Sequence, residues 1–184
     1  MKLGLIELIK RLALLVLPQP ILYGLWHLNR KRRPRTELDS AMDHRVIDVQ
    51  TGVRLNVYWA DVPNVGRGPG ASLFVLLEEI MRIDCFGGSA GHMHINPVQQ
   101  ALLAGWDTTP RHYFPPGTRE SHIDRAAFEL TMNTPAALQT NQLARIRSFP
   151  IEKKNLTDAA LEMKAYMNEL LARHGGAADT TTPS

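Results

Sequence analysis

"RVIDVQTGVRLNVYWADV", residues 45–62, is the stretch on which the fold class turns. Val46, Ile47 and Val49 precede Gln50-Thr51-Gly52, and Val53, Leu55, Val57 and Trp59 follow at strict period two. Successive side chains of a strand point to opposite faces, and a glycine supplies the positive φ of a tight turn. The stretch therefore predicts a β-hairpin. "PNVGRGPG" (63–70), dense in glycine and proline, reads as the loop that leaves it.

Downstream the pattern changes. "LFVLLEEIMRID" (73–84) is nearly apolar all round in its first half, which predicts a central buried helix capped by Gly70 or Ser72 and ended by Gly87 and Gly88. "GHMHI" (91–95) reads as a short strand, after which Asn96 and Pro97 open a helix closed by Gly105. Trp106 to Gly117 reads as a loop. Ser121 and Asp124 form a capping-box-like start to a further helix, Thr134-Pro135 starts another, and a last one runs from near Thr157 to Gly175. Strands followed by helices predict an α+β domain. The expected architecture is an N-terminal amphipathic, apolar helical arm, a β-hairpin with a candidate third short strand, and four to five helices.

The domain layout follows charge as much as pattern. The 184-residue chain carries a net charge of +3, but residues 1–35 hold eight basic residues against one acid, Glu7. The remaining 149 residues hold 13 basic against 17 acidic residues, so the body is mildly acidic. A nucleic-acid binder more often spreads positive charge over its folded surface, so no nucleic-acid partner is expected. Residues 1–35 read as a membrane-associating arm, 36–44 as a polar linker, 45–175 as one domain and 176–184 as a disordered tail.

Within the arm, residues 3–17 read as an amphipathic helix with Glu7, Lys10 and Arg11 on one face. Pro18 and Pro20 break it, a second apolar segment carries Tyr23 and Trp26, and Arg30, Lys31, Arg32, Arg33 and Arg35 close it. Prolines at the centre of the longest uncharged run, Leu12 to Asn29, argue against a bilayer span. No small-x-small cleavage site follows, so a signal peptide is not expected. An in-plane anchor on an anionic membrane surface, on the cytoplasmic face, fits these features best, with Lys10, Arg11, Trp26 and the basic run making the contact. A groove of a protein partner is the competing destination for such an arm.

Chemistry has few candidates. His92 and His94 share a strand face, so one metal ion could take both nitrogens, with Asp84, Cys85 or Glu79 upstream and His112 or His122 downstream completing the site. A divalent metal is the only candidate cofactor. Against this, the pair also fits the polar face of a short strand with Met93 and Ile95 in the core. Arg67, Gly68 and Gly70 of "GRGPGAS" form a loose anion-binding candidate at the start of the expected helix. The loop "RHYFPPGTRESH" (111–122) could serve as a binding surface. "GGSAG" (87–91) matches G-x-S-x-G around Ser89 but lacks the strand-to-helix setting of a nucleophile elbow. Cys85, the only cysteine, excludes an internal disulfide and sits where a helix dipole opposes a thiolate.

Two function classes remain. One is a membrane-surface accessory or assembly protein that binds a protein partner through its small α+β domain. The alternative is a membrane-associated, metal-dependent hydrolase or oxygenase centred on His92 and His94.

Overall fold

A computed structural model describes Ile21, residues 42–97 and residues 110–176. Six strands, β1 (Met42–Gln50), β2 (Val53–Val62), β3 (Gly66–Val75), β4 (Glu78–Asp84), β5 (His92–Ile95) and β6 (His112–Tyr113), form one antiparallel sheet in sequence order. Helices α1 (Arg119–Gln139), α2 (Ala144–Arg147) and α3 (Lys153–His174) follow. The molecule is α+β, with more strands than the sequence pattern predicts and three helices among the described residues. β1 begins inside the stretch read as a linker.

The β1–β2 hairpin forms as expected: Gln50 pairs with Val53 around Thr51-Gly52, and Gly52 has φ +80°. The helix expected over 73–84 is instead a second hairpin. β3 and β4 pair from Val75↔Glu78 to Gly70↔Asp84, joined by Leu76-Leu77. Strands buried on both faces read as continuous apolar runs, as buried helices do, and no glycine, proline or asparagine marks this turn. Leu76 takes a left-handed φ of +56°, and its N–H donates to the Gly52 carbonyl at 2.6 Å. The neighbouring hairpin thus holds a turn that local sequence does not specify.

One sheet face carries the core. Val53, Leu55, Val57 and Trp59 of β2 stand beside Ala71, Leu73 and Val75 of β3, then Met81 and Ile83 of β4 and Met93 of β5. Against them pack Ile123, Ala126 and Leu130 of α1, Ile146 of α2, and Met163, Met167 and Leu170 of α3. Each of the valine, leucine, isoleucine and methionine side chains among these contributes roughly 1.5–3 kcal/mol through its burial.

α1 is one helix where two were expected. Its N-cap is Thr118, whose Oγ1 accepts the Ser121 N–H, so Ser121 lies inside the first turn. Pro135 sits within the helix on its exposed side, where the displaced Thr131 carbonyl can meet water, while Thr134, Ala137 and Leu138 stay buried. Tertiary packing here outweighs a proline penalty of about 3 kcal/mol. α3 ends at Gly175 as expected but starts four residues earlier than Thr157. The helix expected from Pro97 lies, apart from Pro97 itself, outside the described residues, as do the arm other than Ile21 and the tail beyond Gly176.

A candidate metal centre on a buried polar sheet face

The face turned away from α1 and α3 is polar, yet buried. Tyr58, Ser72, Glu79, Asp84, His92 and His94 lie on it, each no more than 8% exposed. A β-bulge in β4 helps to create it. The ladder shifts register between Met81↔Leu73 and Glu79↔Phe74, leaving Ile80 as the extra residue. In a regular strand, residues three apart point to opposite faces. The bulge puts Glu79 and Arg82 on the same face, where Arg82 Nε and Nη2 donate to the two Glu79 oxygens at 2.9 and 3.0 Å. Ser72 Oγ donates to Glu79 Oε1 at 2.8 Å and lies 3.4 Å from the Tyr58 hydroxyl.

Beside this network Asp84 pairs directly with His92, and Arg82 with His94, across the β4–β5 ladder. His92 Nε2 lies 3.4 Å and His94 Nε2 3.9 Å from Asp84 Oδ2. All three ligand atoms fall within 4.8 Å of one another. Ligand atoms at tetrahedral angles around a zinc-sized ion sit about 3.4 Å apart, so closing the set requires shifts on the order of an ångström.

The hydrogen bonds behind the rings fix their tautomers. His92 Nδ1–H donates to the Ala90 carbonyl at 2.7 Å, and His94 Nδ1–H to the Pro110 carbonyl at 2.9 Å. A carbonyl only accepts, so in each neutral ring Nδ1 keeps the proton and Nε2 presents a lone pair. Burial holds the His92 pKa below its usual value despite the Ala90 bond. Burial, followed by the His92, Arg82 and Arg111 charges, pushes His94 down to about 3. Two lone pairs thus converge on a carboxylate oxygen with protonation disfavoured, an arrangement that a cation relieves. Backbone carbonyls behind ligating histidines are the usual outer support of metal sites.

Of the other residues singled out from sequence, none joins the three. His122 is buried, but Nδ1 accepts the Gly87 N–H at 3.2 Å and Nε2–H donates to the Pro115 carbonyl at 3.1 Å, which uses both nitrogens. His112 is exposed and pairs with Met93, so it faces the other side of the sheet. Cys85 Sγ donates to the His122 carbonyl at 3.4 Å, and burial, then Asp84, pushes its thiol well above the ordinary range. Glu79 is engaged by Arg82 and Ser72. Ser89 is exposed between β4 and β5 rather than between strand and helix. His92 has both nitrogens directed elsewhere and cannot serve Ser89 as a base.

The helix start on which the anion-binding reading of Arg67, Gly68 and Gly70 rested is not formed, because all three lie within β3. Their glycines make room. A Cβ on Gly68 would stand 2.4 Å from the Cys85 carbonyl oxygen, and one on Gly70 2.8 Å from the Tyr58 ring and 3.1 Å from Asp84 Oδ1. Gly70 is the floor on which Asp84 rests. Arg67 offers its backbone carbonyl to Arg119 Nε at 3.1 Å.

Sequence reasoning missed Arg82 and Ser72 because only the second hairpin brings them to this face; Tyr58 was within reach, since the alternation read along β2 turns it away from Val57 and Trp59. It also missed Gly91, whose Cβ position falls 2.0 Å from His122 Nδ1. Lys10, Arg11, Trp26, Arg30, Lys31, Arg32, Arg33 and Arg35 lie outside the described residues. No described helix is long and apolar enough to cross a membrane. No protein-family model, curated protein or solved structure matches the chain.

Proposed function

We propose that this protein is a metal-dependent enzyme, a hydrolase or oxygenase, which holds one divalent transition-metal ion on Asp84, His92 and His94. The observation that carries this reading is the pair of Nε2 lone pairs, each set by a backbone carbonyl and aimed at one carboxylate oxygen. Two histidines and one carboxylate form a donor set for catalytic zinc and for non-haem iron(II), and both leave positions for water or substrate. Zinc would lower the pKa of a bound water and so favour hydrolysis, whereas iron(II) would favour oxygen chemistry.

Elemental analysis of the full chain tests this. One metal ion per chain is the expected result, falling to background in His92→Ala/His94→Ala with the fold retained by circular dichroism. A metal-free wild-type chain that also takes up no added zinc, iron(II) or cobalt(II) overturns the enzyme reading. The second reading, an accessory protein with a protein partner at an anionic membrane surface, draws on the charge asymmetry of residues 1–35. In the proposal that asymmetry supplies the setting: the arm holds the catalytic body on the membrane.

A further inference from the structure

Resting on that metal centre, the geometry points to a recognition role for Arg111: it binds an oxyanionic group, carboxylate or phosphate, of the substrate presented to the ion. Three observations place it there. The Pro110 carbonyl is 2.9 Å from His94 Nδ1, so the next residue in the chain stands beside the ligand ring. Tyr113 pairs with His92, and continuing that register two residues back puts Arg111 next to His94 on the same sheet face. Arg111 is exposed, and it makes no ion pair or hydrogen bond among the described residues.

The local charges also favour an anion. Arg82 is matched by Glu79, to which it donates twice, so that pair is neutral. A divalent ion held by a single carboxylate keeps one positive charge, and Arg111 adds another. A guanidinium presents parallel N–H donors that match the two oxygens of a carboxylate or phosphate. Tyr113, 59% exposed with its ring 5.6 Å from that of His92, adds an aromatic surface on the same sheet face.

The test uses the full chain loaded with cobalt(II), whose visible spectrum reports changes in coordination. Acetate, inorganic phosphate and neutral imidazole are titrated separately into wild type, Arg111→Gln and Arg111→Lys. Acetate and phosphate separate a carboxylate preference from a phosphate preference, and imidazole reports the open position itself. Arg111→Gln is expected to weaken at least one of the two anions about tenfold or more, the loss of a charge-assisted bond, while imidazole binds as in wild type. Arg111→Lys keeps the charge without the fork and should fall between. Equal anion affinity in Arg111→Gln and wild type overturns the inference, as does an equal loss for imidazole or failure of both anions to bind wild type. Absence of any cobalt(II) spectrum removes the metal centre, and this inference with it.

Discussion

Gly91 immediately precedes the first histidine ligand, and adding one methyl group there tests how the site is held. The backbone at Gly91 lies outside the left-handed region, so alanine meets no conformational strain of its own. Sterically it has no room. A Cβ would stand 2.0 Å from His122 Nδ1 and 2.3 Å from Cε1, and its three nearest neighbours all belong to that ring. The ring cannot swing away freely. It is 2% exposed and bonded at both nitrogens, to Gly87 and to Pro115. Gly91→Ala therefore either overpacks the β4–β5 loop or expels the imidazole. Overpacking costs about 1–3 kcal/mol, and each buried polar group stripped of its partner about 1–3 kcal/mol. The expected loss is about 3–5 kcal/mol.

A double-mutant cycle isolates the cause. His122→Ala should itself destabilise by about 2–4 kcal/mol, since it removes a buried ring and leaves the Gly87 N–H and Pro115 carbonyl without it. In Gly91→Ala/His122→Ala the added methyl group has space, so the double variant should be no less stable than His122→Ala to within about 1 kcal/mol. Urea denaturation followed by tryptophan fluorescence reads all four corners. A Gly91→Ala loss below about 1 kcal/mol, or losses that simply add in the double variant, would refute the packing argument. Metal uptake adds a second readout: Gly91→Ala should bind zinc more weakly than His122→Ala, because the methyl group displaces the backbone from which His92 projects.

Three further outcomes are expected. Glu79→Ala, which removes the carboxylate that Arg82 grips with two hydrogen bonds, should lower the urea-derived stability by about 3–5 kcal/mol, whereas Glu79→Ala/Arg82→Met should recover part of it. Asp43, whose Oδ2 accepts from His174 at 2.7 Å and Arg173 at 3.0 Å, has its carboxyl held below the usual range, first by the His174 hydrogen bond. A depressed carboxylate stabilises the fold above its unfolded pKa, and that contribution is lost as pH falls through the folded one, so Asp43→Asn should differ from wild type at pH 7 and begin to converge on it only as pH falls below about 4 in urea melts. Replacing Arg30, Lys31, Arg32 and Arg33 with alanine should weaken sedimentation of the full chain with anionic phospholipid vesicles by roughly three orders of magnitude, at about 1 kcal/mol per basic residue. Unchanged sedimentation would remove the membrane setting.

How far the sequence exposes this molecule depends on which residues are asked. The β1–β2 hairpin was legible because alternation from Val53 to Trp59 and the Thr51-Gly52 turn agree, and the shared face of His92 and His94 follows from the period of two. Leu76-Leu77 was not legible, since the bond from the Leu76 N–H to Gly52 joins two different hairpins. Misreading that turn concealed the neighbourhood of the candidate site. With residues 73–84 taken as a helix, Asp84 has no defined relation to His92, and Glu79 and Arg82 become an i, i+3 helix pair with no relation to the strand that carries the histidines. His122 illustrates the opposite limit: its residue type fits a ligand, and only its two hydrogen bonds show that it secures the loop instead.

The two faces of the sheet are coupled through register. Asp84 meets His92 only while β4 and β5 keep the pairing in which Met93 lies against Ile83 and Ile95 against Met81. A slip by one residue would turn both histidines into the core and Met93 and Ile95 onto the polar face. The apolar contacts of Met93 with the layer beneath α1 therefore hold the polar triad in place from the opposite face of the sheet. The bulge at Ile80 adds the second half of the arrangement: it keeps Ile80 in the core while turning Glu79 toward Arg82. Drawing Ile80 into a regular ladder would turn it to the polar face and Glu79 to the core face, whereas deleting Ile80 would leave Leu73↔Met81 and Phe74↔Glu79 consecutive and both faces unchanged. A site built this way owes its geometry to packing on the far side of the sheet, so core substitutions at Met81, Ile83 or Met93 should disturb metal affinity as well as stability.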